Sequence, residues 1–355
     1  MAITNSELIK GYFRAIVQGE RKGPPLALTG GPCALAKVMK YNEMLYYAIL
    51  EDDLVGAGRK FPEQVVILER QTLARTFEYL NEITRIFLKN KLRFFAMKTF
   101  RSYAYVDGDI DLVLVDRKPK ARYLKALVDA GFREKWNIST IRESKKRFYV
   151  KEDENNQIAL PVIHVHFTVS WNGIDCLNAL DVWNRLRTIT INGNSIQVPS
   201  IEDELLIAAA HTLYENTYIT VGELLHIKTL LAGKKDLDME YMVKMSKRYN
   251  WYHSLKFYFK CLEASFVSLT GQELLSKDFK NKFQMEGFTR KTVRCDIIPF
   301  FMATRPLIPL YIEKALRDLG SLRLTRLPRE LITFCLVIWL YRHKKIAKFK
   351  EAFLQ

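Results

Sequence analysis

Residues 109 to 115, DIDLVLV, put two carboxylates, Asp109 and Asp111, at the head of a strongly apolar run. In a β-strand successive side chains point to opposite faces, so Asp109 and Asp111 share one face while Ile110, Leu112 and Leu114 share the other. Two carboxylates a few ångströms apart repel unless one is protonated or a cation sits between them. Mg²⁺ suits such a pair, because it takes hard oxygen ligands and keeps positions open for substrate phosphates. The alternative is a solvated turn. VDGD, residues 106 to 109, is good turn chemistry and accounts for Asp107 and Gly108, but not for Asp111 inside an apolar strand.

The hydrophobic period changes on either side of this run. Residues 62 to 90 lack glycine and repeat apolar side chains at helical spacing. Leu68, Leu73, Phe77, Leu80, Ile83 and Phe87 can share one face, which predicts one helix or two with a short break. Residues 92 to 98 predict a strand, 99 to 105 a turn or short helix, and 109 to 115 the next strand. A helix is expected over 119 to 132, ending near Gly131. Strands are expected at 145 to 150 and 160 to 171, and a hairpin at 188 to 198 around an Asn-Gly turn. From Pro199 and Ser200 onward the pattern is almost wholly helical. The expected organisation is an N-terminal helical segment (1–65), an α/β domain (66–198) and a C-terminal helical domain (199–355).

Composition narrows the class. Hydrophobic residues are 48% and charged residues 26% of the 355, an ordinary globular balance. The N-terminal stretch lacks the apolar core and cleavage site of a signal peptide, and LITFCLVIWLY (331–341) is too short to span a bilayer. Cys33, Cys176, Cys261, Cys295 and Cys335 show no paired metal spacing, which predicts reduced core residues in a cytoplasmic protein. Gly30 and Gly31 lack the Lys-Ser/Thr ending of a phosphate loop and predict a turn before a helix. The net charge of +16 favours polyanionic partners. Basic clusters at 117–125, 142–147, 247–260 and 341–350 make RNA or DNA a candidate partner, and the aromatic residues of the third cluster could stack bases. Each cluster is also what the polar face of an amphipathic helix looks like. A basic, aromatic C-terminus further allows a membrane-surface role.

The ordered set of motifs from FFAMKTFRSYAYVDGDIDLVLVD to PSIEDELLIAAAH, over roughly residues 90 to 230, resembles the nucleotidyltransferase superfamily, whose fold is shared with DNA polymerase β. It is most similar to the branch of uncharacterised nucleotidyltransferases. In that branch a Lys ends the first strand, an Asp-x-Asp pair opens the second, an Asp-x-His-Trp-like strand follows, and a helix begins Pro-Ser-x-Glu-Asp. The resemblance implies an α/β (α+β) fold, a small mixed sheet with flanking helices followed by a helical domain. It implies transfer of a nucleoside monophosphate from an NTP, ATP included, to an acceptor such as RNA (tRNA included) or protein. Asp109 and Asp111 would be catalytic and hold Mg²⁺ or Mn²⁺, and Lys98, Thr99, Arg101 and Ser102 would bind the nucleotide.

The chain departs from the pattern at two places. Thr99-Phe100 stands where the family has Gly-Ser, and His164 stands where a third acidic ligand is expected. His164, His166 and Thr168 share one strand face. Imidazole suits Mn²⁺ better than Mg²⁺, so His164 is a candidate metal ligand, with Asp107 an alternative third carboxylate. His166 is expected to pack and hydrogen-bond in the interior, as are His211 and His226, with His211 a candidate for orienting the site. The other function class left open is a degenerate module of the same fold that binds nucleic acid or a protein partner without chemistry.

Overall fold

The computed structural model describes residues 5–18, 31–55, 61–116, 120–135, 146–152, 158–171, 174–191, 193–234, 236–285, 292–294 and 299–320. The runs at 331–341 and 341–350, the greater part of RESKKR, the polar turn at 153–157 and Gly30 lie outside them. The chain divides into two units, one formed by Ile67–Arg101 with Val106–Ala210, the other by Met1–Val66, Ser102–Tyr105 and His211–Gln355. In chain order the elements up to the carboxylate strand are α1 (Asn5–Gln18), α2 (Gly31–Tyr41), α3 (Leu45–Val55), α4 (Glu63–Lys89), β1 (Phe94–Ala96) and β2 (Asp109–Leu114). They are followed by α5 (Lys120–Asp129), β3 (Arg133–Glu134), β4 (Lys146–Glu152) and β5 (Ile158–His166).

The α/β unit is organised by one five-stranded sheet in the order β1-β2-β5-β4-β3. β2 and β5 run parallel, and the other neighbours are antiparallel. The apolar alternation of β2 decides which face goes where. Ile110, Leu112 and Leu114 join Phe94, Ala96, Tyr149, Ile163 and Val165 in the core. Leu80, Ile83 and Phe87 of α4 and Tyr123 and Leu127 of α5 cover that face. The Phe87 ring meets Phe94 and Tyr123 edge-on at centroid distances of 5.0 and 5.2 Å, an arrangement that adds to the area buried. The opposite face carries the polar residues described below.

α4 is one unbroken helix of 27 residues. Its expected apolar stripe holds in the second half only: Leu80, Ile83 and Phe87 are buried, Leu73 and Phe77 are half-buried, and Leu68 is 53% exposed. Both α4 and α5 end in the same turn. After α5, Gly131 N–H donates to Val128 and Phe132 N–H to Leu127, with Gly131 at φ 86°. After α4, Lys91 N–H donates to Leu88 and Leu92 N–H to Phe87, with Lys91 at φ 53°. This double hydrogen bond needs a left-handed residue, the reason glycine is favoured there. Among the cysteines, Cys176 and Cys261 are buried as expected, whereas Cys33 is exposed.

The other unit is mainly helical, and it includes one feature the periodicity did not predict. Tyr218–Ile219, Val293–Arg294 and Phe300–Met302 pair into a small antiparallel sheet. Strands of two and three residues are too short to show a period.

Lys91 makes a clean test of the turn. A left-handed L-residue costs about 1–2 kcal/mol, and glycine's extra chain entropy about 0.5–1 kcal/mol, so Lys91→Gly should stabilise the fold by up to about 1 kcal/mol. Urea denaturation measures it. A loss of stability would show that the lysine side chain, not the backbone angle, matters at that position.

Candidate active site

The parallel register of β2 on β5 sets Asp111 opposite His164 and Val113 opposite His166. Opposed residues of neighbouring strands share a face, so both histidines stand on the carboxylate side of the sheet. The side chains meet there. Asp111 Oδ1 lies 2.7 Å from His166 Nε2 and 3.3 Å from His164 Nδ1. His164 Nε2 lies 3.3 Å from Asp109 Oδ1, so one imidazole bridges both aspartates. Lys98 Nζ lies 3.3 Å from the other oxygen of Asp111. Ligand atoms of Asp111, His164 and His166 all fall within 4.8 Å of one another, a grouping that could hold a metal ion.

The turn after β1 delivers Lys98. Thr99 N–H donates to the Met97 carbonyl at 2.7 Å, closing a three-residue turn with Lys98 at its centre and φ 61°. Turns of this hand are rare and strained. The Thr99 hydroxyl accepts from the Asp111 N–H at 3.1 Å and reaches the Met97 carbonyl at 3.3 Å. Met97 N–H in turn donates to the Asp111 carbonyl at 2.9 Å. Thr99 is therefore bound to the backbone that carries Asp111, and it fixes where that carboxylate stands.

Burial separates the two aspartates. Asp111 has 3% of its side chain exposed and Asp109 39%. Burial drives both carboxyls upward. At Asp111 it is outweighed by the Lys98 ammonium and by hydrogen bonds from His164 and His166, which hold the group well below the usual carboxylate range. At Asp109 burial prevails, with Asp111 adding to it and His164, Lys146 and Lys98 opposing, and the carboxyl is raised. Burial, with the Lys146 charge, pushes His166 down from 6.5 to about 4. A neutral His166 donates its Nε2–H to Asp111, and its Nδ1 is buried with no partner among the described residues.

Of the expected site residues, Asp109, Asp111, His164, Lys98 and Thr99 meet within the α/β unit, and Arg101, half-buried, belongs to the same unit. Ser102 belongs to the other unit. Its N–H donates to His226 Nδ1 at 3.1 Å, and its exposed side chain lies 3.1 Å from the same nitrogen. His211 is in that unit too, 3.3 Å from Glu215. Asp107 is half-buried and stands outside the Asp/His/His grouping. His166 is buried and hydrogen-bonded as expected, and it also touches the carboxylate at the centre of the site. Lys146 belongs to the basic cluster at 142–147. It is 7% exposed and stands on the site face, because β4 opposes it to His166. The signal that could have found it is the alternation KRFYV, once paired with IHVH.

The model of the family described as uncharacterised nucleotidyltransferase matches residues 68–266, more than half of the chain. The chain belongs to that family. Among solved structures it is similar to an antigenic nucleotidyltransferase-like protein from Paracoccidioides brasiliensis. The two are 15% identical over 53% of this chain and 92% of that one, with a TM-score of 0.27. It is also similar to JHP933 from Helicobacter pylori, at 10% identity over 69% of this chain and 96% of that one, again with a TM-score of 0.27. No curated protein matches the chain. Among the described residues, no helix is long and apolar enough to cross a membrane.

The titrations give a signed expectation for the metal-free protein. His166 binds a proton more readily unfolded than folded, so stability should fall as pH drops from 6.5 towards about 4. The depressed Asp111 contributes fully above its unfolded value of about 3.9 and loses its contribution below it, which extends the fall to lower pH. Urea denaturation in EDTA across this range, for wild type and His166→Gln, measures both. Equal slopes between pH 6.5 and 4 in the two proteins would remove His166 as the cause.

Proposed function

We propose that the α/β unit transfers a nucleoside monophosphate from an NTP to an acceptor hydroxyl and releases pyrophosphate. The observation that carries this reading is the convergence of Asp109, Asp111, His164 and Lys98 on one sheet face, in a chain whose family is nucleotidyltransferase-like. The donor set fits a divalent cation. Asp111 and His164, from the grouping with His166, would hold it, with Asp109 beside them, and the nitrogen donors favour Mn²⁺ over Mg²⁺. When bound, such an ion supplies charge stabilisation at a phosphoryl oxygen.

The chain's own residues do the rest. Lys98 neutralises phosphate charge as a compact ammonium on a flexible stem, which lets it leave Asp111 for a substrate oxygen. Thr99 and His166 keep the Asp111 carboxylate in place from the backbone side and the side-chain side. The acceptor oxygen attacks the α-phosphorus in line, its proton passing to a carboxylate oxygen or to water, and the bond to the leaving pyrophosphate breaks. Most of the acceleration comes from positioning and charge neutralisation. RNA or a protein side chain is the proposed acceptor class.

One observation favours a second reading, a module that binds a partner without chemistry. Both oxygens of Asp111 already have partners within the protein, Lys98 on one and the two imidazoles on the other. Metal-dependent exchange of labelled pyrophosphate into NTP separates the readings, because only the enzyme catalyses it.

Asp109→Asn and Asp111→Asn should each reduce exchange by at least about 100-fold, since a bound metal contributes several kcal/mol to such a transition state. The double variant should lose little more, because residues that act as one unit are not additive. Exchange at the wild-type rate in both single variants would remove the assignment.

His164→Asp would supply a third carboxylate. It should shift the preferred cation from Mn²⁺ towards Mg²⁺ in the same assay. An unchanged Mn²⁺/Mg²⁺ ratio would take His164 out of the ligand set.

A further inference from the structure

Lys146 opens β4, and its register places it across from His166, with Phe148 across from His164. His164 in turn faces Asp111 on β2. The Lys146 side chain therefore stands on the same face as the carboxylates, two strands away from them. Its neighbour Arg147 takes the other face and pairs with Glu134 at 3.3 Å. Sheet order puts Lys98, after β1, on one flank of the Asp/His group and Lys146, on β4, on the other.

Lys146 is more than nine-tenths buried. Lysines so buried are nearly always paired, because an ammonium taken from water loses far more than an aliphatic stem gains. Lys98 follows that rule through Asp111. Lys146 does not: among the described residues no carboxylate or carbonyl oxygen is seated on its ammonium. What it has is the face of Phe148, with Nζ 5.1 Å from the ring centroid. A cation–π contact offsets only part of the desolvation of a charge. The Lys146 charge is felt at the site, where it opposes the rise that burial imposes on Asp109 and adds to the lowering of His166. A cation on the site face, with no carboxylate seated on it among the described residues, leaves room for an anion to arrive with the substrate.

We propose that Lys146 is a second phosphate-binding residue of this site, contacting the polyphosphate of a bound nucleotide or the pyrophosphate that leaves it. The proposal rests on the nucleotidyl-transfer reading above. A thin, flexible polyphosphate can reach a lysine this buried. A nucleic-acid backbone, by contrast, is gathered by exposed cations that release counterions on binding. Lys98 and Lys146 then grip the polyanion from the two flanks of the Asp/His group.

The test is isothermal titration of the full chain with ATP and with inorganic pyrophosphate, in Mn²⁺ and in Mg²⁺. Wild type, Lys146→Met and Lys146→Arg are compared, each with a ligand-free thermal melt and with binding of an RNA oligonucleotide. Lys146→Met should weaken pyrophosphate binding about 10- to 100-fold, the effect of losing one charge-assisted hydrogen bond. Its ligand-free melting temperature should stay level, because no ion pair among the described residues is lost, and Lys146→Arg should retain most of the affinity. Wild-type affinity for pyrophosphate in Lys146→Met overturns the role of Lys146 and leaves nucleotidyl transfer standing. Wild type binding neither ATP nor pyrophosphate with either cation overturns both. Loss of RNA binding with pyrophosphate binding intact reassigns Lys146 to the acceptor. Equal losses in the Met and Arg variants, with early melting in both, assign it to the fold instead.

Discussion

A carboxylate with 3% of its side chain exposed, in the third residue of the run DID, is the constraint around which the α/β unit is arranged. Burying an ionised carboxyl without partners is prohibitive, and every polar element nearby answers that problem. Lys98 supplies the opposite charge, His166 a short hydrogen bond and His164 a bridge to the second aspartate. The partners come from β5 and from the turn after β1, so the group forms only when the β1–β2–β5 register is correct. The site is thereby coupled to the pairing of the sheet, and a slip of one residue would put Asp111 among Ile163 and Val165.

Strand alternation lets one sheet serve two purposes. Asp109 and Asp111, at odd positions of β2, carry the chemistry, and the even positions carry the core. The same division runs through β5, where His164 and His166 alternate with Ile163 and Val165. The carboxylate pair stands out in the sequence for this reason. Two carboxylates spaced by two residues at the head of an apolar strand are poor core residues, and His164 aligns with them, whereas the spacing alone leaves His166 an ordinary interior residue. The buried half of α4 was legible for a similar reason, since Leu80, Ile83 and Phe87 recur at helical spacing beside the new strand.

Other parts were illegible for physical reasons that differ from residue to residue. Lys146 sits in a run of basic residues, and composition points such a run to solvent; only its pairing partner reveals the face it takes. The role of Thr99 depends on a hydrogen bond to a backbone N–H twelve positions away, which no local pattern encodes. Ser102 is three residues from Thr99, yet the chain carries it into the other unit, where His226 receives it. The three short strands at 218–219, 293–294 and 300–302 carry too few residues for a period to show.

The turn at Lys98 shows how strain and charge are joined. A non-glycine residue at φ 61° costs on the order of 1–3 kcal/mol and persists only when its surroundings over-determine it. Here they do: Met97 is bonded to Asp111 through one backbone hydrogen bond, and Thr99 through its hydroxyl on the other side of Lys98. The backbone is thus fixed by the strand that carries the carboxylate, while the lysine's long stem carries its ammonium to Oδ2. A rigid anchor with a mobile charge is what a site needs if a cation must cover Asp111 in the absence of substrate and move onto phosphate in its presence. Glycine would fit the angle at lower cost, but it would leave the buried carboxylate without its opposite charge. Neutralising Asp111 is worth more than the strain, and that inequality accounts for a lysine in a glycine's conformation.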